Sequence, residues 1–135
     1  MNVRNLNGDR CSWKLKGEVV AANDPRSRSK LHLRAREILY ELFPTIQILE
    51  EVPVRPRDKT QYLDFYINKI KLAVEVHGQQ HYKFNSLFHA SAQDFLNQRK
   101  RDIDKQEWCE INNITYIELP FNEDADKWKE KIELR

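Results

Sequence analysis

No apolar run in this sequence approaches the roughly 18 residues that a membrane span needs, and the first residues hold no apolar stretch of the kind that drives export. The two cysteines, Cys11 and Cys109, stand far apart and fit no zinc-ligand spacing. Both read as reduced thiols, which excludes a disulfide framework and a structural zinc. The expectation is an intracellular, cytoplasmic protein with no membrane partner. Internal repeats and low-complexity tracts are missing too, which excludes repeat architectures.

What is present is a globular profile. Hydrophobic residues make up 40% of the 135 positions and charged residues 33%, enough for one domain with a sizeable core. A net charge of +2 conceals an asymmetry. Residues 1–36 carry nine Lys/Arg against three acids, and the remainder carries fourteen basic against eighteen acidic residues. A basic arm on an acid-bearing body fits a polyanionic partner, and an ordinary solvated leader fits the charge equally well.

Residues 13–20 suggest a short hairpin, with Trp13, Leu15, Val19 and Val20 around Gly17. Ser29 is placed to cap a helix whose Leu31, Ala35, Ile38, Leu39 and Leu42 share one face, and Pro44 ends it. Strands follow at Ile46–Val54, Tyr62–Ile67 and Ile70–His77. A long helix from about Ser91 to Asn112, a strand at Ile114–Leu119 and a last helix from about Glu123 complete the chain. The order α-β-β-β-α-β-α predicts an α/β fold, a small mixed sheet flanked by helices.

The most informative stretch runs from Tyr62 to His81. Its first strand carries one acid, Asp64, and its second is an apolar run, Leu72-Ala-Val-Glu-Val76, broken only by Glu75. A carboxylate in a strand that wants burial costs several kcal/mol unless a partner compensates it. The Asn68-Lys69 turn lets the two strands pair antiparallel with their acids close together, and His77 and His81 follow. This pattern points to a divalent cation, Mg²⁺ with Mn²⁺ as a substitute, held by Asp64, Glu75 and the Val76 carbonyl. The plainer reading puts both acids on a solvent face. Glu75 resists it, because Val74 and Val76 would then share the opposite face and leave Leu72 exposed beside it.

The segment from Leu63 to His81 resembles the core of PD-(D/E)XK nucleases. It is most similar to the branch holding the very short patch repair endonucleases and the EDxHD-type homing endonucleases of phages. Members follow such a strand with Arg-x-x-Asp-x-x-Lys on a helix, here Arg99 to Lys105, then Ile-x-x-Ile-x-x-Pro, here Ile114 to Pro120. The likeness covers about residues 30 to 121. It implies a restriction-endonuclease-like core over residues 29–135, a basic arm over 1–28, and a phage or mobile-element type of endonuclease cutting DNA.

By residue, the resemblance implies Asp64 and Glu75 as metal ligands and His81 as general base. His77 stands where members often have lysine. Glu37 matches the leading acid, with Glu41 as rival. Asp102 and Lys105 face the site from the long helix, and Asp94 and Asp104 compete for the last acid of EDxHD. Arg26, Arg28, Lys30, Arg99, Arg101 and Lys105 would hold the nucleic-acid backbone. Leu63 replaces the proline that precedes the first acid in many members. Specificity would come from the arm, a second subunit in a homodimer, or a partner protein.

Duller readings stand beside these. His32 and His89 read as surface residues, His77 as a strand cap, and Trp108 and Trp128 as core, while Trp13 is the candidate for base stacking. The competing classes are a non-catalytic nucleic-acid-binding or assembly module of the same fold, and a same-fold nuclease acting on RNA or branched DNA.

Overall fold

The computed structural model describes residues 1–135. Its elements are β1 (Asn2–Arg4), β2 (Arg10–Ser12), β3 (Glu18–Val19), α1 (Lys30–Leu42), β4 (Leu49–Val54), β5 (Gln61–Ile67), β6 (Leu72–His77), α2 (Ala92–Ile111), β7 (Thr115–Pro120) and α3 (Ala125–Glu133). The fold is mixed α/β with a C-terminal helix. Five strands form one sheet in the order β3-β4-β5-β6-β7, antiparallel except for the parallel β6–β7 pair. No helix is long and apolar enough to cross a membrane.

Local chemistry sets the boundaries of each element. The Ser29 hydroxyl accepts from the His32 N–H at 3.0 Å and starts α1, as its position predicts. Ser91 and Asp124 cap α2 and α3 in the same way. Between β5 and β6 a 3₁₀ turn over Asn68–Ile70 ends on Lys71 at φ 49°, a left-handed residue that folds the chain straight back.

The sheet has two unlike faces. Ile38 and Leu39 of α1 and Trp128 and Ile132 of α3 pack with Phe65, Leu72, Val74 and Ile117. On the other side Tyr66, Ala73 and Ile114 meet Trp108 and Cys109 of α2, and Trp13. Strand alternation then sends Glu75 and His77 of β6, and Glu118 of β7, under α2.

The N-terminal region departs from the sequence reading. Its hairpin is formed by β1 and β2, with Asn2 opposite Ser12, turning at Gly8 (φ 91°), and not by residues around Gly17. Gly17 serves a different need. A Cβ there would lie 2.9 Å from Val52 Cγ2, so the missing side chain lets the segment lie flat on β4. Glu18–Val19 adds to the main sheet instead. Trp13 is a core residue, 7% exposed, edge-on to Tyr66 and Trp108 at centroid distances of 5.2 and 5.0 Å. Its indole N–H donates to the Pro53 carbonyl where β3 no longer covers β4. A stacking platform for bases is excluded by that burial.

Candidate active site

Asp64 and Glu75 are brought together by register. Phe65 pairs with Val74 and Ile67 with Leu72, and the same register continued one step sets Asp64 across from Glu75. Asp64 is held by the Val76 N–H, which donates to Oδ2 at 2.8 Å. Glu75 is 2% exposed. Lys105 Nζ lies 2.8 Å from its Oε1, a buried ion pair. Burial, then the neighbouring Asp64, push the Glu75 carboxyl well above its ordinary range against the pull of Lys105. For Lys105, burial is outweighed by Glu75 and Asp64, which hold the ammonium charged.

A third acid completes the cluster. On β4 and β5 the pairs Glu50–Phe65 and Val52–Leu63 bracket Glu51 and Asp64. Glu51 adopts φ 53°, rare for a residue with a side chain, inside an otherwise extended strand. One carboxylate oxygen each of Glu51 and Asp64 and a ring nitrogen of His32 lie within 4.8 Å of one another. Burial and the Asp64 charge raise the Glu51 carboxyl as well.

Beside the acids, also under α2, lies a histidine group. Asp102 accepts from His81 Nδ1 at 2.8 Å, and the Gln98 amide donates to His81 Nε2 at 3.4 Å. The two partners place the lone pair on Nε2. His77 stacks on His81 at 4.2 Å with 4° between the rings. His77 Nδ1 donates to Glu118 Oε1 at 3.0 Å, and Tyr82 hydroxyl donates to the same carboxylate. Hydrogen bonding from His77 draws Glu118 down to about 2 against burial, with Tyr82 adding to the pull. A ligand atom each of His77, His81 and Asp102 also lie within 4.8 Å of one another.

The structure joins Asp64, Glu75, Val76 and Lys105 in one cluster and His77, His81 and Asp102 in the next. Among the acids competing beside His81 it brings Asp102, since Asp104 pairs with Arg57 at 3.2 Å and Asp94 accepts from the Ala90 N–H. Glu37 is not brought to either cluster. The buried stripe of α1 runs through His32, Ala35, Arg36, Ile38 and Leu39, which turns Glu37 to solvent. Glu41 pairs with Lys129 of α3 at 3.1 Å.

Of the proposed backbone-binding cations, Arg26 is spent on Asp24 and Glu18, and Arg28 lies 3.6 Å from Glu18. Lys105 is turned inward to Glu75. Lys30, Arg99 and Arg101 remain exposed. Sequence reasoning missed Glu51, and it misplaced two histidines. His32 and His89 are 7% and 5% exposed, not surface residues, because Glu50 and Gln98 satisfy their ring nitrogens at 2.7 and 2.6 Å. The adjacent Glu50-Glu51 pair inside the apolar run Ile48 to Val54 was the available signal.

Three viral proteins resemble part of this chain. Over 59 residues it is 48% identical to "Uncharacterized protein 307L" of Invertebrate iridescent virus 6, a match covering 44% of this chain and 30% of that protein. It is 39% identical to "Uncharacterized protein 033L" of Invertebrate iridescent virus 3, with the same coverage of each chain. Over 72 residues it is 36% identical to "Uncharacterized protein 094L" of Frog virus 3, covering 52% of this chain and 46% of that one. The chain spans less than half the length of these curated relatives. No family model matches it, and no solved structure does.

Proposed function

We propose that the protein is a divalent-cation-dependent endonuclease of the PD-(D/E)XK type, acting on DNA. The observation that carries this reading is Glu75, a carboxylate 2% exposed in mid-strand, set across from a second acid and facing Lys105 of the covering helix at 2.8 Å. One ammonium against two such carboxylates leaves a negative charge inside the protein that a divalent cation would balance. The donor set is hard oxygen, as Mg²⁺ or Mn²⁺ requires, so Asp64, Glu75 and the Val76 carbonyl fit as its holders. When bound, the ion supplies charge stabilisation at the phosphoryl group. The succession of α1, β4, β5, β6, α2 and β7 agrees with the restriction-endonuclease-like core that the sequence resembles.

The chain's own groups divide the work. The Val76 N–H fixes Asp64, and Lys105 holds Glu75. Asp102 orients the His81 ring so that Nε2 takes the proton from an attacking water. The water oxygen bonds to phosphorus, the bond from phosphorus to the leaving sugar oxygen breaks, that oxygen takes a proton from bulk water, and the His81 imidazolium returns its proton to solvent. The substrate strand crosses the groove lined by His77, His81, Arg99 and Asp102, with the exposed Arg101 on the same helix. Contacts of that kind hold phosphates without reading bases.

The test incubates the purified chain and its Asp64→Asn variant with duplex, single-stranded and branched DNA and with RNA, in Mg²⁺, Mn²⁺ or EDTA. Metal-dependent cutting of DNA that the variant loses is expected. Cutting that survives Asp64→Asn removes this mechanism. Binding without cutting of any substrate replaces it with a non-catalytic module.

A further inference from the structure

We infer that His32, Glu51 and Asp64 form a second cation position, whose imidazole ligand selects Mn²⁺ over Mg²⁺. It deepens the hydrolytic reading above, sharing Asp64 with the first position, and it departs from the all-oxygen ligand set that the resemblance implies.

Three independent features converge there. The first is proximity, with a nitrogen and two carboxylate oxygens mutually within 4.8 Å. The second is backbone strain. Glu51 holds a left-handed φ of 53° between two regularly paired neighbours, and its side chain makes no hydrogen bond or ion pair in return. Such outliers persist where the surrounding structure over-determines them, and they cluster at ligand sites.

The third is the support behind His32. Its Nε2 donates to Glu50 Oε1 at 2.7 Å, and Arg36 grips the same carboxylate with two bonds of 2.7 and 2.9 Å. The ring also stacks on Phe65 at 4.6 Å. An outer carboxylate that fixes ring and tautomer is the usual companion of a metal-ligating histidine.

The local charge calls for a cation. Arg36 is committed to Glu50 and Lys105 to Glu75, while Arg28 lies against Glu18. Glu51 and Asp64 are left facing each other with no cation of the chain paired to either. A ligand set of one imidazole and two carboxylates suits a transition ion such as Mn²⁺ better than Mg²⁺, which prefers oxygen throughout and retains its waters.

The test counts ions and detects nitrogen, independently of cleavage. Isothermal titration of the full chain with Mn²⁺ is expected to give two ions per chain, and one after Glu51→Gln. Pulsed electron paramagnetic resonance of the Mn²⁺-loaded protein is expected to show imidazole ¹⁴N coupling that His32→Gln removes and His81→Gln leaves in place. Melting curves without metal check that each variant folds.

One ion in the parent chain, or two in Glu51→Gln, overturns the site. Nitrogen coupling that persists in His32→Gln also overturns it, by moving the ligand to another histidine. Two ions without cleavage of any nucleic acid sink the hydrolytic reading and leave this site standing, whereas one ion with intact cleavage does the reverse.

Discussion

Arg36 and Glu50 meet with 1% of each side chain exposed, an ion pair inside the protein rather than on it. Removing one partner of such a pair strands the other charge at a cost of about 3–5 kcal/mol. Arg36→Met is therefore expected to lower the unfolding free energy from urea titration by that much, and Arg36→Met with Glu50→Gln to recover part of it. The same loss with and without Glu50 would show that packing, not charge, sets the cost. Glu118 gives a pH dependence of definite sign. Its folded-state value of about 2 lies below the ordinary 4.5, so its contribution is present above about 4.5 and lost as pH falls toward about 2. Glu118→Gln is expected to flatten the acid limb of the melting-temperature profile in that window and to leave the neutral region unchanged in slope.

Among the elements, the β1–β2 hairpin and the Trp13 segment do more than lead into α1. Trp13 fills the space between Tyr66 and Trp108, so Trp13→Ala is expected to cost about 3–5 kcal/mol in denaturant unfolding. An unchanged midpoint would mean that the segment only rests on the surface. This region was illegible in the sequence because strands of two or three residues carry no period to read. The central elements were legible for the opposite reason. Ser29 and Ser91 mark helix starts, and the apolar run from Leu72 to Val76 marks a strand covered on both faces.

At the site, Asp64 and Glu75 were visible as charges out of place. Glu51 was hidden because its role depends on a left-handed backbone angle, and neighbouring residues give no sign of that angle. His32 was hidden because its partners, Glu50 and Phe65, come from strands β4 and β5, far along the chain from its helix.

Taken whole, the molecule is built on a sheet whose two faces are held differently. Under α1 and α3 apolar contacts run along the helices around the buried Arg36–Glu50–His32 group, whereas α2 buries only Trp108 and Cys109, both near its C-terminal end. Toward its N-terminus α2 is held mainly by polar links, Lys105 to Glu75, Asp102 to His81, and Gln98 to His89, with Phe95 edge-on to His89. Amide hydrogen exchange is expected to be slow over residues 106–111 and faster over 92–100, with Glu75→Gln widening the gap. Uniform protection along the helix would contradict that division. Mechanically, α2 is a cantilever, clamped at one end and latched along its span by charges. In the nuclease reading proposed above, a polyanion entering beneath the free end would compete for those latches, so what admits the substrate and what aligns the reactive groups would be the same few bonds.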